Sequence, residues 1–214
     1  MRHGSSERLP RHPHETAFAA IVLTGGYVEA GDTGRHGLTP GDVLMHRAWE
    51  SHLDRFGRGG AEVLILPIQE RDIGAQTGRV ADPDALARLA EGDPVAASRH
   101  LFLAFEAKTA SPDDWPDLLA SALCSDPDLS LGHWADGQGL HLGSLSRGFR
   151  QVFAVTPSAY RVIQRTRRAV NAVRRSDAPL HRIAQDCGFA DQAHMSRAIR
   201  GMTRSTPSAL RKLS

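Results

Sequence analysis

Short apolar runs separated by glycine-rich segments fill residues 12–68. The clearest runs are residues 18–23 and residues 63–66. Apolar runs of this length next to glycine are typical of strands joined by turns, and we place turns at residues 24–26 and 31–34. The pattern therefore predicts a small β-barrel or β-sandwich.

Beyond about residue 80 the apolar positions follow a helical period. Two Asp-Pro pairs mark helix starts and predict helices over residues 85–91 and 95–108. Residues 111–114, Ser-Pro-Asp-Asp, combine a linker with an acidic helix start. We therefore divide the chain into a β domain at residues 1–70, a helical linker or dimerisation segment at residues 71–111 and a helical domain at residues 112–214.

Two segments of the helical domain, residues 131–153 and 180–202, share one plan. In each, a short helix with an apolar residue next to alanine is followed by a turn glycine and a second helix. Leu145-Ser-Arg in the first unit recurs as Met195-Ser-Arg in the second. Between the units, a helix over residues 160–176 would be about 25 Å long. Such a strut could hold two helices about one DNA turn, roughly 34 Å, apart.

The second helix of each unit presents polar side chains away from its apolar positions. Asp191 is a natural N-cap for the second of these helices. Arginine, glutamine and histidine can reach base edges in a major groove, so the pattern predicts a helix-turn-helix pair that binds DNA. Any single arginine could instead belong to a solvated helix face. The predicted contact residues are Gly143, Ser144, Ser146, Arg147 and Arg150 in the first unit and Gln192, His194, Arg197 and Arg200 in the second.

The net charge of +2 conceals a steep contrast along the chain. Residues 140–214 carry 14 Lys and Arg but only 3 acidic residues, whereas residues 1–139 carry 12 Lys and Arg and 21 acidic residues. A basic segment favours a polyanionic partner, because each phosphate contact releases counterions. Membrane lipid or RNA would satisfy the same charge.

Residues 112–214 resemble the DNA-binding region of the AraC/XylS family of transcription regulators. The matching motifs are residues 145–150 (LSRGFR), 155–161 (VTPSAYR), 183–192 (IAQDCGFADQ) and 206–211 (TPSALR). The resemblance implies an α+β protein with a cupin-like N-terminal sensor barrel or sandwich and a C-terminal all-α tandem helix-turn-helix domain. It also implies double-stranded DNA as a partner, a small-molecule effector, a homodimer, and contact with RNA polymerase if the protein activates transcription.

Several histidines fall within the predicted β domain. His12, His14, His46 and His52 are the candidate residues for an effector or metal site, with Glu15 and His36 nearby in sequence. The segments around His12 and His52 resemble the two motif regions of cupins. Imidazoles from separate strands suit a divalent Zn, Fe or Mn ion, which is the only cofactor we consider. A metal-free small-molecule pocket, or histidines bonded to backbone, would fit the same pattern.

Composition and motifs limit the possible cellular locations and functions of the protein. The two cysteines, Cys124 and Cys187, form no CxxC pair, residues 1–7 lack the apolar core of a secretory signal, and no apolar run is long enough to cross a membrane. We therefore expect a cytoplasmic protein without membrane contact. No P-loop, GxGxxG, nucleophile elbow or HExxH occurs, so we expect no catalysis. Two alternatives stay open: a metal-dependent cupin enzyme with an accessory helical domain, and an interaction protein that has lost DNA binding.

Overall fold

The computed structural model describes residues 1–109, 114–126 and 128–212. It divides into two compact units, Met1–Pro112 and Asp113–Ser214. The first unit combines an antiparallel sheet with two helices, and the described part of the second unit is helical. This confirms the predicted α+β organisation of an N-terminal β unit and a C-terminal helical unit. The assignment of the first unit to the cupins stays a prediction.

The described residues of the first unit form one antiparallel sheet of eight strands. Their order across the sheet is β1-β6-β3-β5-β7-β8, with β2 also on β6 and β4 on β3. The strands are β1 (Arg2–His3), β2 (Arg8–Pro13), β3 (Phe18–Gly31), β4 (Gly34–Leu38), β5 (Asp42–His46), β6 (Ser51–Pro67), β7 (Thr77–Arg79) and β8 (Glu106–Ala107). The predicted turn at residues 31–34 is confirmed, since it joins β3 to β4.

Both faces of the central strand β3 are buried over its first five residues, 18–22. Ala19 and Ile21 belong to one hydrophobic cluster, whereas Phe18, Ala20 and Val22 belong to a second cluster. Successive side chains of a strand point to opposite faces, so a continuous apolar run such as this one lies between two layers of the protein.

The predicted turn at residues 24–26 is wrong, because β3 and β6 continue past their glycine clusters as two long paired strands. The register between them shifts on both sides of Gly25. Gly25 and Gly60 both have positive φ, at 73° and 68°. A Cβ on Gly25 would lie 2.1 Å from the Gly60 carbonyl oxygen. The glycines therefore produce β-bulges that bend both strands instead of ending them.

The sequence predicts a separate helical linker at residues 71–111, but the described part of that segment, residues 71–109, belongs to the first unit. This segment contains α1 (Pro83–Gly92) and α2 (Pro94–Ala104), which are capped by Asp82 and Asp93. Leu86, Ala97 and Leu101 pack in the same cluster as sheet residues. The apolar faces of these helices thus complete the core on one side of the sheet.

The second of the predicted helices in this segment ends earlier than expected. The structure ends α2 at Ala104 instead of Lys108, and Phe105 has extended backbone. Phe105 packs against the hydrophobic cluster, and β8 adds to the edge strand β7. Strand pairing and the partial burial of Phe105 therefore outweigh the helical pattern of these residues.

The described residues of the second unit form seven helices. They are α3 (Trp115–Ser125), α4 (Leu131–Gly137), α5 (Leu142–Phe153), α6 (Pro157–Arg175), α7 (Leu180–Asp186), α8 (Gln192–Thr203) and α9 (Pro207–Lys212). The predicted helix start at residues 111–114 is described only at Asp114, which is the N-cap of α3, and its other residues lie outside the described part. No helix among the described residues is both long and apolar enough to cross a bilayer.

Gly25→Ala should destabilise the first unit by about 3 kcal/mol, because the methyl group meets the Gly60 carbonyl at a positive φ. Urea unfolding followed by circular dichroism measures this loss. Gly59→Ala is the matched control, since a Cβ there has no neighbour within 4 Å. Equal stability of the two variants would contradict the bulge model.

Candidate nucleic-acid interface and histidine cavity

The two predicted helix-turn-helix units have matching turns. The N–H of Leu140 donates to the Ala135 carbonyl at 2.9 Å in the first unit, and Phe189 donates to Ala184 at 2.9 Å in the second. The turn glycine of the second unit, Gly188, has φ of 76°, which side chains with a Cβ rarely adopt. The glycine turn predicted for this unit is therefore confirmed.

The second helices of the two units, α5 and α8, have the same burial pattern. Leu145 and Phe149 are fully buried in α5, and Met195 and Ile199 are fully buried in α8. Both helices end in a left-handed residue, Ala154 in α5 and Arg204 fifty positions later in α8. The repeat predicted from three residues thus extends over the whole second helix and its C-cap.

Side chains cap the start of both helices. The Asp191 carboxylate accepts a hydrogen bond from the His194 backbone N–H at 2.6 Å, which confirms Asp191 as the N-cap of α8. His141 caps α5, since its Nδ1 accepts from the Gly143 N–H at 3.1 Å. The first turn of each helix is therefore held in place by its own sequence.

The structure places all nine predicted contact residues on α5 and α8. Those on the exposed side are Ser144, Arg147, Arg150, Gln192, His194, Arg197 and Arg200. Gly143 and Ser146 are half-buried. Each helix thus combines a buried apolar stripe with an exposed polar face.

Arginines of α6 act inside the domain, which the sequence does not show. Arg165 donates to the Asp128 carboxylate at 3.0 Å and lies against Gly188. Arg161 donates to the Leu129 carbonyl. These contacts tie α6 to the segment before α4 and to the turn of the second unit.

A cavity of about 220 Å³ lies in the first unit, between the bent strands β3 and β6 and strand β2. Apolar side chains, among them Phe18, Tyr27 and Phe56, form much of its wall. Its polar lining residues are His3, His12, His14, Thr16, Glu29, His46, His52 and Asp54. The structure therefore brings together His12, His14, His46 and His52, the four histidines selected from the sequence.

Three buried side chains, those of Glu29, His46 and His52, lie close together among the polar residues of the cavity. His46 Nε2 is 3.4 Å from Glu29 Oε2, and His52 Nδ1 is 3.6 Å from Glu29 Oε1. His52 Nε2 is 3.7 Å from Asp54 Oδ2. Among the described residues, neither His46 Nε2 nor His52 Nδ1 has a hydrogen-bond partner. Polar atoms so placed are costly unless something else binds them.

Burial is the largest cause of the pKa shifts among the polar residues of the cavity. It lowers the pKa of His14 and His46 to about 4 and that of His52 to about 2. It raises the pKa of Asp54 to about 7, and with repulsion from Glu50 it raises that of Glu29 well above its usual range. Near neutral pH these three imidazoles are therefore uncharged and keep a lone pair.

Glu29 and Asp54 are absent from the sequence prediction, whereas Glu15 and His36 do not line the cavity. Glu29 in particular cannot be predicted from the alternation of side chains along β3. Phe18 and Ala20 face the cavity from even positions, but Glu29 faces it from an odd position beyond the bulge at Gly25. The bulge changes which positions of the strand face the cavity, from even to odd. The sequence cannot show this change, because the glycines at the bulge predict a turn that would end the strand.

The C-terminal unit matches a known protein family. Residues 134–213 match the family model described as a helix-turn-helix domain, which is of the AraC type. Residues 134–213 form an AraC-type helix-turn-helix domain. A chain with this AraC-type domain is a DNA-binding transcription regulator, as predicted. None of the curated proteins is significantly similar to the chain.

Solved structures with similarity to the chain include a Chromobacterium violaceum transcriptional regulator with an AraC-type DNA-binding domain. It is 26% identical, with a TM-score of 0.41, over 44% of this chain and 86% of its own. ToxT from Vibrio cholerae is 9% identical, with a TM-score of 0.46, over 99% and 96% of the two chains. The DNA-binding domain of AdpA, solved with a target DNA, is 19% identical, with a TM-score of 0.43, over 47% and 93%. All three scores are below 0.5, so the AraC-type assignment depends on the family match.

Gly188→Ala should lower the stability of the AraC-type domain by about 1–2 kcal/mol, because its φ is positive and the new Cβ would lie 3.3 Å from Arg165 Nε. Gly201→Ala on α8, where a Cβ has open space, should instead raise stability by about 0.5–1 kcal/mol. Urea unfolding monitored by helical circular dichroism compares the two. The same sign for both variants would refute the role of the turn.

Proposed function

We propose that this regulator binds one DNA site through α5 and α8, each in a major groove. The observation that carries the proposal is the shared frame of these helices, with fully buried Leu145 and Met195 beneath exposed polar faces. Helix α6 has 19 residues and is about 28 Å long. That length suits recognition helices spaced about 34 Å, one DNA turn, apart.

The exposed side chains divide into two proposed roles. Arg147, Gln192, His194 and Arg197 read base edges, because they are exposed near the first turns of their helices. Arg150 and Arg200, farther along the same helices, hold phosphates. Gly143, Ser144 and Ser146 allow α5 to approach the groove closely. The half-buried arginines of α6 are not part of this set.

The proposed effector site is the cavity of the first unit, and its role is regulatory instead of catalytic. A concave pocket with an apolar wall and a few convergent polar groups is the usual form of a ligand site. We also propose a homodimer through the helices of the first unit, where Leu103 is 86% and Val95 54% exposed. Contact with RNA polymerase would follow if the protein activates transcription.

Arg197→Ala should weaken binding to a selected duplex by about 1–3 kcal/mol and relax specificity at one base position, because a bidentate base contact is lost. Binding to random duplexes should change little. Selection of bound duplexes from a random pool, followed by affinity measurements at fixed salt, tests this expectation.

The control for this variant is Arg71→Ala in the first unit, whose side chain is 84% exposed. It removes one exposed arginine outside the proposed interface and should leave both affinities unchanged. If Arg197→Ala discriminated selected from random duplexes as well as the unmodified protein does, α8 would not read bases through this residue.

Arg147→Ala should relax a different base position, about 10 base pairs from the one affected by Arg197→Ala, because the two helices occupy successive turns. Sequencing the duplexes selected by each variant locates both positions. Loss of specificity at the same position in both variants would rule out a two-groove arrangement.

A further inference from the structure

We propose that the histidine cavity binds a divalent transition-metal ion through Glu29, His46 and His52, and that this ion is the effector. The metal site is argued from the cavity alone, whereas its regulatory role rests on the DNA-binding function proposed above. The three residues come from β3, β5 and β6, so that paired strands hold the donors in place.

The spacing of the donor atoms suits a single ion. One ligand atom from each of Glu29, His46 and His52 lies within 4.8 Å of the other two. Glu29 Oε2 lies 3.4 Å from His46 Nε2, and Glu29 Oε1 lies 3.6 Å from His52 Nδ1. Tetrahedral ligands at about 2.0–2.1 Å from zinc lie roughly 3.4 Å from one another. Small side-chain adjustments would therefore close the site.

The two histidine nitrogens need a partner that the described protein atoms do not supply. His46 and His52 are only 2% and 5% exposed, and neither His46 Nε2 nor His52 Nδ1 has a hydrogen-bond partner. An imidazole lone pair aimed at a buried carboxylate suits a cation between them. Asp54, near the other nitrogen of His52, is placed as an outer carboxylate that orients a ligating imidazole.

A second trio, His12, His14 and His52, shares His52 with the first. His12 and His14 are both half-buried, whereas Glu29 and His46 are buried. His12 Nδ1 lies 2.8 Å from the Pro10 carbonyl oxygen, which leaves Nε2 of His12 available, so burial decides between the two trios. We therefore assign the ion to the buried trio, with His12 and His14 bordering it.

The donor set selects the class of ion. Two imidazoles with one carboxylate suit Zn²⁺, Fe²⁺, Co²⁺ or Ni²⁺, whereas Mg²⁺ and Ca²⁺ prefer oxygen ligands.

Metal binding is tested on the full chain after treatment with a chelator. Calorimetric titration with Zn²⁺ should give one ion per chain, and Co²⁺ should give visible absorption bands of nitrogen and oxygen coordination. Glu29→Gln and His46→Ala should each weaken Zn²⁺ binding by at least about tenfold. Excess Mg²⁺ should not compete.

The matched control is His100→Ala, which removes an exposed histidine of α2. It should leave Zn²⁺ affinity unchanged. Circular dichroism identifies any variant that fails to fold, and the near-isosteric Glu29→Gln keeps the test valid if His46→Ala unfolds. No saturable binding of Zn²⁺ or Co²⁺ would overturn the site. Loss of binding only in His12→Ala/His14→Ala, with Glu29→Gln unaffected, would overturn the assignment to the buried trio.

The regulatory part is tested with a duplex selected from a random pool. Zn²⁺ should change its affinity for the full chain by at least about fivefold, and Glu29→Gln should abolish that change. One bound ion with unaltered duplex affinity would overturn the effector role but leave the site. Sequence-independent DNA binding with and without Zn²⁺ would instead contradict the proposed function, whatever the metal result.

Discussion

The close contact between Gly25 and Gly60 determines the shape of the first unit. No side chain fits between these two residues, and both have a backbone conformation that favours glycine. The bulges shift the alternation of both strands by one position. Phe18 and Ala20 therefore face the cavity below the bulge, and Tyr27 and Glu29 face it above.

This shift explains how a polar cluster comes to be buried. In an unbroken alternation, residues 27 and 29 would share a face with Ala19 and Ile21, which pack in the cluster that includes the helices. A carboxylate at position 29 would then lie in an apolar core without compensation. The bend instead directs it toward His46 and His52. The bulges thus bring both the apolar wall residues and the polar side chains to the same cavity.

Features that are set by residues close together in the sequence could be predicted, whereas features that depend on distant strands could not. Asp191, Gly188 and the spacing of Met195 and Ile199 act within a few residues of one another, so the second helix-turn-helix unit could be predicted closely. The four histidines could be selected by type, but Glu29 and Asp54 could not. Their places depend on pairing between distant strands and on a bulge that resembles a turn in the sequence. Strand β8 was missed because its pairing with β7 is equally non-local.

The repeat within the AraC-type domain separates a fixed frame from variable contacts. Buried positions, helix ends and C-caps of α5 and α8 coincide at an offset of fifty residues. Their outward residues coincide only in part. Arg147 and Arg150 correspond to Arg197 and Arg200, but in the first turn α5 has Gly143 and Ser144 where α8 has Ala193 and His194. Equal frames with different first-turn side chains would place two different sets of donors at equivalent depths in successive grooves. Under the proposed function, the DNA site is therefore expected to be asymmetric within one chain, and any symmetry of a longer operator would come from pairing of two chains.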